Sequence, residues 1–116
     1  MTAEPIVVAV RVTQPEAAVE LEIPADLEYF SGHFAGAPVV PGVVQIKWAV
    51  EAARRHLAAG GDVVGMEALK FQRVLRPGAV VTLALKWLAA DGKLYFSYTA
   101  AAARYSSGRL LLRAPA

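Results

Sequence analysis

The sequence predicts an α+β fold, one helix packed on an antiparallel sheet, and three observations carry that expectation. Six short segments rich in β-branched and aromatic residues are separated by good turn chemistry. Only one long segment has helical composition. The order is two strands, a loop, the helix, then four strands, which suits a helix on one face of an antiparallel sheet. Across 116 residues there is no internal seam, so residues 1–116 read as a single domain.

Ile6 to Arg11 is rich in β-branched residues and ends at Gln14-Pro15. Glu16 to Ile23 alternates, with Val19, Leu21 and Ile23 on one face and Glu20 and Glu22 on the other. The two segments suit a hairpin. Pro24 to Phe30 has the composition for one helical turn. Ser31 to Gly42 holds three glycines and two prolines, too many for regular structure. Val43 to Ala59 is the helix, closed by Gly60-Gly61. Its first half is apolar nearly all round, the pattern of a helix buried on most sides. Lys47, Glu51, Arg54 and Arg55 form one charged stripe along it. Asp62 to Leu75, Ala79 to Leu88, Leu94 to Ala103 and Arg109 to Arg113 read as strands. Their separators are Arg76-Pro77-Gly78, Ala90-Asp91-Gly92 and Ser106-Ser107-Gly108, and Asp91-Gly92 is a strong hairpin signal.

Composition narrows the function. The chain is 56% hydrophobic, with a mean hydropathy of +0.41, and is too apolar for disorder. A domain this small has little volume for a deep private pocket, so the apolar surplus suggests burial against another subunit. Residues 1–28 carry one base, Arg11, against six acids, while the remainder has a balance of +7. This split suits a pairing surface or simple strand faces. With no cysteine, disulfide frameworks, zinc ribbons and thiolate nucleophiles are excluded. His33 and His56 have no metal-ligand spacing, so no metal and no cofactor is expected. The start of the chain lacks signal-peptide features, and no uncharged stretch approaches membrane-spanning length. No nucleic-acid motif is present. The expectation is a cytoplasmic domain without a membrane or nucleic-acid partner.

The informative segment is Phe30-Ser31-Gly32-His33-Phe34-Ala35-Gly36-Ala37-Pro38-Val39-Val40-Pro41-Gly42-Val43. A histidine lies on a Gly-rich loop that runs into the start of a buried helix. The open N–H groups of a helix start attract negative charge, and proline suits a first turn. A base with pKa near neutrality beside such donors suits proton removal next to a carbonyl.

This segment closely resembles the active-site signature of the hotdog-fold 3-hydroxyacyl-(acyl carrier protein) dehydratases of fatty-acid synthesis. Val43-Val44-Gln45-Ile46, followed by Trp48-Ala49, looks most like the branch linked to aryl polyene and xanthomonadin-type pigments. Phe71, Val74 and Arg76-Pro77-Gly78 resemble the family's later strand and turn. The resemblance implies a sheet wrapped around a central helix. It implies a lyase that dehydrates a 3-hydroxyacyl thioester to the 2-enoyl thioester, with an acyl carrier protein as partner. By position, His33 matches the base and Val39 the carbonyl that orients it. Gly42 matches the N–H that binds the thioester oxygen. Phe34, Pro38, Trp48 and Phe71 are expected to line the substrate channel, although Trp48 equally suits the core.

The family's second catalytic residue is a Glu or Asp fourteen positions after the histidine, contributed across a dimer interface. Here that position is Lys47, and Glu51 stands where a Gln is common. Lys47 or Glu51 serves as the second group, or the two form an ion pair with no catalytic role. Three functions follow: a homodimeric dehydratase; a subunit whose site is completed by a different hotdog chain; and a thioesterase or acyl-binding protein. Arg73, Arg76, Arg104, Arg109 and Arg113 are expected either to form a basic surface for an acidic carrier protein or to be solvated strand faces.

Overall fold

The computed structural model describes residues 3–27 and 38–114. Along the chain come β1 (Ile6–Thr13), β2 (Glu16–Glu22), α1 (Gly42–Leu57), β3 (Asp62–Phe71), β4 (Val80–Leu88), β5 (Lys93–Ala100) and β6 (Ala103–Arg113). The strands form one antiparallel sheet in the order β1-β2-β4-β5-β6-β3. The expected α+β architecture is present, and β1 and β2 form the expected hairpin. The chain crosses over after α1, so β1 and β3 are the two edges.

Alternation sets the core. Val19 and Leu21 of β2, Val81, Leu83 and Leu85 of β4, Leu94, Phe96 and Tyr98 of β5, and Leu110 and Leu112 of β6 are buried. Their neighbours face the other side, as a period of two requires. Helix α1 lies over β2, β4 and β5. It buries Ile46, Ala49, Ala53 and Leu57, spaced three or four apart, and Val50 beside them. The edge strands are less covered: Val7, Val10 and Val12 of β1, and Val64, Met66 and Phe71 of β3, are exposed.

Four expectations are corrected. Ser106-Ser107-Gly108 is no turn but lies inside β6, which spans Ala103–Arg113. Ser106 is buried and hydrogen-bonded, and Gly108 leaves room for neighbours. A Cβ there would meet the Leu69 side chain at 2.5 Å and the Phe96 ring at 2.9 Å. The turn falls instead at Ala101-Ala102, where Ala101 takes φ 50°. β3 stops at Phe71 because Gln72 and Arg73 both donate to the Tyr105 carbonyl, which ends the ladder. Residues 24–27 contain a turn and no helix; the rest of that expected helical turn lies outside the described residues. Finally, α1 ends at Leu57, ahead of the two glycines. Ala58 takes the left-handed conformation (φ 55°), and the Ala59 N–H reaches the Ala53 carbonyl at 3.2 Å.

Two outcomes are expected. Ala58 occupies a left-handed cap that favours glycine and is exposed. Ala58→Gly should raise stability by about 0.5–1 kcal/mol, read as a higher midpoint in urea. Tyr98 is buried, and its hydroxyl donates to the Gln45 backbone carbonyl at 2.6 Å. Burial raises its pKa well above the ordinary value. A raised folded pKa gives stability that is intact below the unfolded pKa of about 10 and is lost as pH rises beyond it. Tyr98→Phe should cost about 1 kcal/mol at neutral pH. It should also remove part of the alkaline loss, read by unfolding at a series of pH values.

Candidate active site

His33 and Phe34 lie outside the described residues. The site is therefore built from what surrounds them: residues 38–42, the start of α1, and the end of β3.

The segment before the helix is held at one peptide after another. The Val40 N–H donates to the Leu75 carbonyl at 2.8 Å. The Val40 carbonyl accepts from Gln45 Nε2 at 3.1 Å. The peptide joining Val39 to Val40 is trans, so its C=O and N–H point in opposite directions. With the N–H aimed at Leu75, the Val39 carbonyl must point away from Leu75.

Pro41 sits before the helix in an extended conformation (φ −58°, ψ 149°). Its carbonyl accepts from the N–H groups of Val44 (3.1 Å) and Gln45 (3.2 Å). The N–H groups of Gly42 and Val43 have no acceptor among the described residues. No side chain caps this end, and the first turn has no acidic residue. Two open donors at the positive end of a helix thus share one place, a favourable setting for an oxygen that gains negative charge.

Phe71, at the end of β3, lies against Gly42. A Cβ on Gly42 would meet the Phe71 ring at 2.8 Å. The structure therefore brings Gly42 and Phe71 together, and Pro38 and Val39 precede them in the segment that leads into the helix. It does not bring Lys47, Glu51 and Trp48 to the same place. Lys47 and Glu51 are exposed on the helix. Among the described residues no ion pair joins Glu51 to Lys47. Trp48 is buried, and its Nε1–H donates to the Ala3 carbonyl at 3.1 Å. Trp48 and Glu51 line a separate groove of about 610 Å³, floored by Val19, Leu21 and Leu83.

Sequence reading gave no role to a buried polar network. Gln45 is 3% exposed, and its Oε1 accepts from Ser106 Oγ at 2.7 Å. With Val40 and Tyr98 this joins the pre-helix segment, α1, β5 and β6. The available signal was a glutamine within an otherwise apolar run of the helix.

Two of the five arginines are engaged within the sheet. Arg109 pairs with Glu67 at 2.7 Å and lies over the Tyr95 ring, and Glu67 first, then Tyr95, raise its pKa. Arg113 donates to the carbonyls of Asp91 and Leu112. Arg73 and Arg76 instead share a pocket of about 410 Å³ with Val74 and Tyr105. That pocket adjoins Leu75, which holds Val40. Among the described residues no group of three His, Cys, Asp or Glu side chains is placed to hold a metal ion. No described helix is long and apolar enough to cross a membrane.

Known proteins share this fold. The model of the ApeI-like family, described as ApeI dehydratase, matches residues 9–109. A chain of the dehydratase heterocomplex ApeI:P from Xenorhabdus doucetiae is similar with a TM-score of 0.87 and 34% identity, over 94% of this chain and 97% of that one. An uncharacterized protein from Erwinia carotovora subsp. atroseptica has a TM-score of 0.79 and 34% identity, over 96% and 97% of the two chains. The 3-hydroxyacyl-(acyl-carrier-protein) dehydratase FabZ of Erythrobacter litoralis is 34% identical over 77 residues, 59% of this chain and 51% of its own length. The chain spans about half the length of the curated relatives it matches. The sheet and its one helix are the hotdog fold that the loop motif implied.

Gly42→Ala tests the contact with Phe71. Alanine gains about 0.5–1 kcal/mol of helix propensity, while the Phe71 ring must move. Phe71 is 49% exposed and has room to do so. The expected net change is within about 1 kcal/mol. In a Phe71→Ala background the same substitution should become stabilising, which a double-mutant unfolding cycle reads directly.

Proposed function

Because the chain belongs to the ApeI-like dehydratase family, we propose that it dehydrates a 3-hydroxyacyl thioester on an acyl carrier protein, in cytoplasmic fatty-acid or polyene synthesis. The observation that carries this reading is the open donor pair of Gly42 and Val43 beside a Val39 carbonyl of fixed direction.

In this reading His33 takes a proton from C2, and the Val39 carbonyl orients its imidazole. Charge moves onto the thioester oxygen, where the Gly42 N–H stabilises it. The C2 electron pair then forms the C2–C3 double bond as the C3–O bond breaks. The departing hydroxide needs a proton, and the products are the 2-enoyl thioester and water. Phe34, Pro38 and Phe71 line the acyl path. Arg73 and Arg76 meet the acidic carrier protein beside it.

The proton for the leaving hydroxyl is the open question at Lys47. A carboxylic acid donates and then accepts, whereas a protonated amine beside a neutral imidazole competes with it as base once deprotonated. We infer that a different hotdog chain supplies the carboxylate to His33. Two observations favour this: lysine at the position of the acid, and the likeness to a chain of a dehydratase heterocomplex. Strand β3 offers the place, since it is a sheet edge with Val64 and Met66 exposed and Phe71 at its end.

The test is formation of enoyl thioester from 3-hydroxyacyl carrier protein, by the chain alone and co-expressed with a second hotdog chain from its native source. His33→Ala should abolish turnover in either setting. Activity is expected only in the mixed assembly, and Lys47→Glu should confer turnover on the chain alone. Full activity of the unaltered chain alone would overturn the heteromeric reading in favour of a homodimer using Lys47 or Glu51. Free thiol without enoyl product would replace dehydration with thioester hydrolysis.

A further inference from the structure

We propose that Gln45 is a positioning residue for this reaction: its buried carboxamide fixes the Val40–Pro41 peptide, which joins the peptide carrying the Val39 carbonyl to the start of the helix. The inference rests on the dehydration reading above.

A glutamine 3% exposed among apolar neighbours is costly, because desolvating an amide costs about 1–3 kcal/mol unless its bonds are restored. Here they are restored in one way only. The Val40 carbonyl can only accept, so the NH₂ side of the amide must face it, at 3.1 Å. Oε1 must then face Ser106, whose hydroxyl donates at 2.7 Å. Reversing the amide would set oxygen against oxygen at Val40. The Val40 carbonyl therefore selects the amide orientation, and the Ser106 hydroxyl, which can donate or accept, satisfies the oxygen on the other side.

The consequence reaches the site through planar peptides. The Leu75 carbonyl holds one face of Val40 through its N–H, and Gln45 holds the next peptide through its carbonyl. With both planes set, neither the Val39 carbonyl nor the Pro41 entry to α1 is free to rotate. The Gln45 side chain makes neither contact itself. It acts through Val40, on a segment where a displacement of about 1 Å can cost about 100-fold in rate.

The test is the double variant Gln45→Leu/Ser106→Ala. Gln45→Leu alone strands both the Ser106 hydroxyl and the Val40 carbonyl, whereas the double variant leaves only the Val40 carbonyl without its donor. The double variant should stay folded, with a melting point lower by about 5–15 °C. In the active assembly its kcat should fall about 10–100-fold with KM changed less than about threefold. Amide exchange at Val40 should quicken, while exchange at Leu83 and Phe96 stays as in the parent. A folded double variant with parental kcat, or with parental Val40 exchange, overturns the proposal. A parent assembly without any turnover defeats the dehydration reading instead, and the Val40 exchange then decides alone whether Gln45 holds this segment.

Discussion

One helix of sixteen residues has to serve the inner face of a six-stranded sheet. It is about 24 Å long and about 10 Å wide, while six strands span roughly 25 Å across. The helix covers β2, β4 and β5, and it is buried there on most sides. The edges are left with apolar side chains that remain exposed among the described residues. That shortfall is the physical form of the apolar surplus in the composition. It also determines where a site can be. The open end of α1 meets Phe71 at the end of the β3 edge, and not in the middle of the core.

Within the covered region the sequence accepts a polar cost. Gln45, Ser106 and Tyr98 stand where leucine, alanine and phenylalanine would pack without desolvation. All three are satisfied, and no buried side-chain polar atom among the described residues lacks a partner. Hydrophobic contact is non-directional and does not choose between peptide orientations. A hydrogen-bonded carboxamide does, which is the property needed where a loop of glycines and prolines enters a helix. The ordinary core supplies stability, and this network supplies direction.

The sequence made the architecture legible because its signals are local. Alternation in β2, the apolar first half of α1 and the Asp91-Gly92 turn each depend on neighbours a few residues away. Errors arose where a distant contact decided. Gly108 reads as a turn glycine, but Leu69 and Phe96 need its missing side chain, and both are far off in the chain. Gly60-Gly61 reads as the helix stop, yet the cap falls on Ala58 because the chain must turn toward β3 sooner. The five arginines suited either a basic surface or solvated strand faces, and the sequence did not show that Glu67 and the Asp91 carbonyl engage two of them. For the site, the loop motif pointed to Val39 and Gly42, and their surroundings suit the roles the motif implies. Gln45 had no role in that reading, since neither Ser106 nor the Val40 carbonyl is its neighbour on the helix.

The choice of partner rests on the helix more than on the edge strand. β3 carries Asp62, Glu67 and Lys70, and Glu67 is already matched by Arg109 within the same sheet. Little net charge remains to favour a copy over a different chain, and exposed apolar residues such as Val64 accept either. Lys47 is different, because it bears the charge opposite to the one the chemistry needs at that position. A copy of the chain would bring Lys47 to both sites. A chain with a carboxylate there would bring an acid to His33 and leave Lys47 to the reciprocal site. Specificity of this kind comes from making the wrong pair chemically poor while leaving the interface itself permissive. Under the heteromeric reading, one active site per assembly would follow from a single side chain, Lys47.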